Sequence, residues 1–422
     1  MNTECRFAKL IPGKVESTRD GGTVMTRLNV SRLLFSRSGR WVILGLLVFS
    51  ALLLFACAGK SGPSTVLTGL VEIEAGWHHT CALTTAGGVN CWGNNHDGQL
   101  GDGTEVDRVT AVDVVGLMSR VNAIAAGERH TCALTTGGGV KCWGNNHDNQ
   151  LGDGTVNDRV TPADVMGLTS GVRAITAGER HTCALTTGGG VKCWGNNHDG
   201  QLGDGTGIDR NTPVDVAGLT SGVAAITAGW RHTCALTTGG GVKCWGNNHD
   251  NQLGDGTDAD KKTPVVVVGL ANGVNAVAAG RRHTCALTTG GGVKCWGNNH
   301  DGQLGDGTGI DRNTPVDVAG LTSGVAAITA GWRHTCVLTT GGGVKCWGKN
   351  HDGQVGDGTA INRRTPADVV GLTSGIKTIT AGGQHTCALN PKYVQCWGDN
   401  EDGQLGDGTT ADTLAAREEV GL

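Results

Sequence analysis

The sequence predicts an all-β fold, a seven-bladed β-propeller of seven 51-residue repeats with four antiparallel strands per blade. Three observations lead there. The string H-T-C recurs with its cysteine at 81, 132, 183, 234, 285, 336 and 387, and every step is 51 residues. Each copy breaks into four short β-type runs. Glycine, 73 of 422 residues, punctuates those runs at fixed points and not at every third position, as collagen would need.

One copy shows the elements in order. Val172–Gly178 (VRAITAG) is the first run and His181–Thr187 (HTCALTT) the second. Gly188–Gly190 is a turn, and Val191–Gly195 (VKCWG) is the third run. A glycine-rich stretch, Asn196–Thr206, separates it from the fourth, Pro213–Gly218 (PVDVAG). A lone sheet of four strands leaves its faces and edges poorly covered. The copies must therefore pack face to face, and a closed ring leaves only short, protected edges. Seven periods fill residues 66–422, the expected propeller domain. Thr413–Leu422 keeps the full spacing and is the expected closing strand; Pro63–Leu70, a worn copy of the same element, is the alternative.

The N-terminus reads differently. Residues 1–40 hold eight Lys/Arg and three Asp/Glu, while the remainder holds 26 and 35. The acidic repeat region lacks the basic footprint of a nucleic-acid binder. Trp41–Ala56 is an uncharged apolar run of 16 residues, short for a membrane span. Arg27, Arg32, Arg37 and Arg40 precede it and Cys57 follows Leu54-Phe55-Ala56. That is the grammar of a secretory signal, and its end resembles a bacterial lipobox in which Cys57 takes the lipid. Phe55 departs from the usual lipobox, and an uncleaved anchor or plain secretion are the alternatives. Residues 1–57 are thus expected to be a basic segment plus signal, with Met25 an alternative start. Residues 58–65 are expected to be a short tether, and the protein to be a monomer held to the cell envelope or secreted.

The motif C-W-G-x-N-x-x-G-Q-L-G-D-G-T, followed by T-P and G-x-x-H-T-x-A-L, resembles the regulator of chromosome condensation family. It recurs at Cys91–Thr104, Cys142–Thr155, Cys193–Thr206, Cys244–Thr257, Cys295–Thr308, Cys346–Thr359 and Cys396–Thr409. Departures are few: Val355 for Leu, Lys349 for Asn, Glu401 for His. The resemblance implies a seven-bladed propeller. The founding member's guanine-nucleotide exchange on a nuclear GTPase is not expected here. That member carries an insertion between blades, and the uniform spacing leaves none.

Sixteen cysteines comprise Cys5, Cys57 and seven pairs flanking one hairpin per copy. The pairs are Cys81–Cys91, Cys132–Cys142, Cys183–Cys193, Cys234–Cys244, Cys285–Cys295, Cys336–Cys346 and Cys387–Cys396. Opposed strand residues sit ~4.5 Å apart at Cα, within disulfide range. Disulfides are the expected state. Zinc on His79, Cys81, Cys91 and His96, or buried free thiols, are the alternatives. No metal or other cofactor is expected. Asp97 and Asp102 lie in a glycine-rich turn without the EF-hand order of ligands, so a structural turn is expected. The H-T-C histidines and C-W-G tryptophans repeat in every copy. They are expected to be hydrogen-bonded structural groups and blade-to-blade packing.

The copies differ at two places. The stretch after G-D-G-T, such as Glu105–Arg108, reads as solvated loop. The pair between A-G and H-T reads Trp77-His78, Glu128-Arg129, Glu179-Arg180, Trp230-Arg231, Arg281-Arg282, Trp332-Arg333 and Gly383-Gln384. Such loops form a ring on one propeller face. Trp and Arg dominate binding hot spots, and Trp also stacks on sugars. The ring is therefore a candidate site for a protein or glycan, the alternative being Arg stacked on Trp as cover for neighbouring loops. Every notable Ser, His and carboxylate is repeated or lies in a variable loop, so no catalytic residue is assigned. A hydrolase or lyase acting outside the cytoplasm is the alternative function. Inhibition of an extracellular enzyme is a special case of scaffolding.

Overall fold

A computed structural model describes residues 69–418. The signal segment 41–56, Cys57 and the tether 58–65 lie outside the described residues. The described chain holds 28 strands in seven antiparallel sheets, each of four consecutive strands. The first blade is β1 (Leu70–Ala75), β2 (His79–Thr84), β3 (Val89–Gly93) and β4 (Arg108–Asp113). The last is β25 (Thr378–Ala381), β26 (His385–Leu389), β27 (Val394–Gly398) and β28 (Thr413–Glu418), so the C-terminal strand completes its own blade.

The first strands form the innermost ring. β1 touches β5 (Val121–Ala126), then β9 (Val172–Ala177), β13 (Val223–Ala228), β17 (Val274–Ala279) and β21 (Val325–Ala330) follow in turn, and β25 returns to β1. The fourth strand begins earlier than its apolar residues suggest, at Arg108 or its equivalents. It does so because Arg108 pairs with Asp102 at 2.7 Å and Gly93 aligns with Arg108 across a bulge. The variable stretch before it is only partly solvated. Its Asp107 accepts the backbone N–H of Asn95 at 2.7 Å, and Asp or Asn does the same in every other blade.

The core sits between blades. Cys81, Leu83, Val89, Cys91, Leu100 and Val114 of the first blade bury Ala133 and Trp143 of the second. The pattern repeats until Leu389, Val394 and Leu405 of the last blade bury Ile73, Ala82 and Trp92 of the first. Each tryptophan donates its indole N–H to the preceding blade's G-Q-L-G turn, as Trp143 does to Gln99 O at 2.9 Å. Gly101 is required there, because a Cβ on it would press on Trp143 Nε1 at 2.7 Å. One turn position is left-handed in every copy. Most copies place glycine there (Gly98, φ 78°), while Asn149 and Asn251 tolerate it at 66° and 64°.

A second belt closes the ring. His79 Nε2 meets Thr131 Oγ1 of the next blade at 2.9 Å, and so on round to His385 and Thr80. Thr131 gives its own proton to Gln99 O at 2.8 Å, so His79 must donate through Nε2–H. Nδ1 of all seven histidines is then a buried acceptor without a partner among the described residues.

Each cysteine pair faces across β2–β3 or its equivalent and is disulfide-bonded, with Cα atoms 4.1 Å apart. Seven such bridges point to an oxidising, extracytoplasmic environment.

Candidate functional site

Loops joining first to second strands, and third to fourth, lie at the same end of every blade. Because first strands are innermost, their loops surround the mouth of the central channel. The first residue of each variable pair lines that mouth. Trp77, Glu128, Glu179, Trp230, Arg281, Trp332 and Gly383 enclose a cavity of about 110 Å³.

The second residue of the pair stands over the preceding blade. Arg129 pairs with Asp97 at 3.4 Å, Arg180 with Asp148 at 3.3 Å and Arg231 with Asp199 at 3.6 Å. Arg282 pairs with Asp250 at 3.4 Å, Arg333 with Asp301 at 3.2 Å, and His78 with Asp402 at 3.2 Å. Gln384 instead accepts from Lys349, the residue that replaces Asn in its copy, at 2.5 Å. The aspartate of N-N-H-D thus ties neighbouring blades. Asp97 also accepts from Asn145 of the next blade at 2.8 Å, whereas Asn95 bonds its own turn. A purely local turn is therefore half the account. Asp102 is drawn in by its own loop. Partial burial pushes its carboxyl up, but the Thr104 hydroxyl and the Arg108 guanidinium hold it below the usual range.

The mouth itself is asymmetric. On one arc the Arg281 guanidinium lies between two indoles, 3.9 Å from the Trp230 ring and 4.1 Å from Trp332. Trp77 meets Trp332 edge to face at 4.6 Å. It leans there because the last copy has Gly383, where a Cβ would collide with the Trp77 ring. Burial, with Arg282 and Arg333 nearby, lowers Arg281 to about 10. On the other arc Glu128 and Glu179 are neighbours. Burial and the neighbouring Glu179 push Glu128 up to about 8. Arg180 and Arg231 each hold Glu179 at 3.2 Å.

Below the mouth the channel continues as a cavity of about 290 Å³ walled by first-strand alanines and threonines. Thr176, Thr227, Thr329 and Thr380 accept backbone N–H groups from the next first strand, at 3.1–3.3 Å. Glu74 also lines this wall, and burial, then Glu72, raises it to about 8.

The fold thus gathers the variable pairs on one face, as their spacing predicts. It places the three tryptophans in the channel mouth, Trp230 and Trp332 with arginine stacked on them and Trp77 against His78 and Trp332, not as open platforms. Two groups escaped the sequence reading. Glu74 stands where other copies have Ala125, Thr176, Thr227, Ala278, Thr329 or Thr380, so comparing copies along the first strand would have found it. The approach of Glu128 to Glu179 depends on the angle between two neighbouring loops, which spacing does not encode.

Comparison with known proteins gives a consistent result. The RCC1-like domain profile matches residues 55–316, and the regulator of chromosome condensation repeat matches 325–354 and 342–389. The chain is 34% identical over 324 residues to the ultraviolet-B receptor UVR8 of Arabidopsis thaliana, covering 75% of this chain and 72% of that one. Among solved structures, human WBSCR16 superposes with a TM-score of 0.71 at 24% identity, over 79% of this chain and 94% of that one. Prp20p of Saccharomyces cerevisiae, which has binding properties toward Gsp1p and histones, superposes with a TM-score of 0.70 at 24% identity, over 85% and 87%.

Proposed function

This chain belongs to the regulator of chromosome condensation repeat family, and on that premise we propose that it is an envelope-anchored, non-catalytic scaffold that grips a protein through the channel-mouth loops. The asymmetry of the mouth carries the reading. The mouth is one of the two places where the copies differ, and the difference gathers indoles and Arg281 on one arc and two carboxyls on the other. A protein suits the site better than a glycan, because guanidinium groups already cover the Trp230 and Trp332 faces that would stack on a sugar. Prp20p, which shares the fold, is a precedent for protein capture by it. The seven disulfides support a place outside the cytoplasm, and anchoring through Cys57 rests on the sequence.

The test is capture from an envelope extract by the full chain, beside a Trp77/Trp230/Trp332→Ala variant matched for thermal stability. The variant is expected to lose at least nine-tenths of the captured partner, on the order of the loss hot-spot truncation brings. Equal capture by both, or capture by neither, removes the reading.

One observation favours a second reading. Indoles absorb in the ultraviolet-B, and the cluster of Trp77, Trp332 and Trp230 with Arg281 is compact enough to couple. Under this reading the chain senses light as the Arabidopsis relative does. Ultraviolet-B irradiation would then change partner capture reversibly, and unchanged capture would dismiss it.

A further inference from the structure

We propose that the channel mouth is a carboxylate seat, in which Arg281, held between Trp230 and Trp332, takes a carboxylate that the partner inserts. This rests on reading the mouth as the partner-binding face, and it names the chemistry the partner must bring.

The first observation is charge. Arg129, Arg180, Arg231, Arg282 and Arg333 each have a carboxylate within ion-pair distance. Arg281 has none among the described residues. Burial disfavours its charge most, Arg282 and Arg333 add to that cost, and Glu179 and Glu128 across the mouth offset only part of it. A half-buried guanidinium without a counter-ion calls for an anion from outside.

The second observation is independent of charge. Arg281 Nε and the indole Nε1 atoms of Trp77, Trp230 and Trp332 are buried donors without a partner among the described residues. All four belong to residues lining one cavity of about 110 Å³. Buried donors are nearly always satisfied, so four in one place mark a missing acceptor. The indoles cover both faces of the guanidinium, which leaves its edge for bonding. That edge is a planar fork that matches a carboxylate.

The opposite arc tolerates an incoming anion. Burial and the neighbouring Glu179 push Glu128 up to about 8, so its carboxyl is largely protonated at neutral pH. Arg180 and Arg231 offset the charge that remains.

The seat is tested without the partner. The indole and guanidinium N–H resonances of the full chain are followed while acetate, inorganic phosphate or methylammonium is added at constant ionic strength. Acetate is expected to shift Trp230 Nε1, Trp332 Nε1 and Arg281 Nε saturably. Arg281→Gln should weaken the indole response at least tenfold, and Arg281→Lys, which keeps the charge but not the fork, should fall between. Lys141→Gln, remote from the mouth, should respond as wild type. Two short peptides identify the source. One has a single glutamate and an amidated end, and the other has no acidic side chain and a free end. Response to the first assigns an acidic side chain, and response to the second alone a chain terminus. The proposal fails if acetate and both peptides give no saturable shift, if the shifts survive Arg281→Gln, or if phosphate alone saturates. If Arg281→Gln still captures the partner while the triple tryptophan variant does not, the seat fails and the binding face stands. If neither variant loses the partner, the binding face fails as well.

Discussion

Full reduction of the seven disulfides unfolds the propeller at temperatures where the oxidised protein is native. Each bridge closes a loop of 9 or 10 residues between neighbouring strands. In the chain-entropy treatment a loop of that size contributes roughly 2.5–3 kcal/mol. A typical domain retains only about 5–15 kcal/mol net. Losing all seven, about 17–21 kcal/mol in that treatment, therefore exceeds what such a fold holds in reserve. The cores cannot compensate, since the sulfurs are themselves core atoms packed against the next blade's tryptophan. Thermal melts followed by circular dichroism, on oxidised protein and on protein reduced while denatured, measure the effect. The midpoint should fall by tens of degrees, or the reduced transition should vanish. Equal midpoints would mean the blades stand on interblade packing alone.

Acid has the second largest effect. Burial drives the seven belt histidines down to about 3 or 4 from 6.5. The cause is geometric. Nε2 already donates to threonine, and a proton on Nδ1 would be a buried charge without a partner. Between pH 6.5 and 3 the unfolded chain binds protons that the folded chain refuses. Stability is therefore fully present above pH 6.5 and is lost as pH falls toward 3. Each histidine shifts the unfolding constant by up to about tenfold per pH unit in that window. Glu72, Glu74 and Glu128 act oppositely. Burial raises them to about 7, 8 and 8, so their contribution fades as pH rises from 4.5 through 8. Seven histidines outweigh three carboxyls, so the acid limb should be the steeper. Denaturant titrations from pH 3 to 9 should show a maximum near neutrality and collapse below about pH 5. A flat profile between pH 7 and 4 would mean that the belt histidines are charged or exposed.

The fold was legible because repetition reveals what single elements conceal. An exact period fixes the blade, and cysteines opposed across a short hairpin lie within disulfide range of each other. The fourth strand was less legible. Its limit is set by the Arg108–Asp102 contact and the bulge at Gly93, which hydrophobic pattern does not report. The ring position of the variable pairs followed from topology, but the conformation of each side chain did not. Trp77 leans across to Trp332 only because Gly383 lies between them. Arg281 has no carboxylate partner among the described residues because indoles take both of its faces. Such outcomes depend on residues about 51 or more positions apart, and on a ring that must close before they meet.

Amide hydrogen exchange on the full chain, with and without its captured partner, locates the binding face. New protection is expected in the loops at 76–79, 127–130, 178–181, 229–232, 280–283, 331–334 and 382–385 if the channel mouth holds the partner. Protection confined to the hairpin tips on the opposite face, such as 85–88 and 136–139, would contradict it.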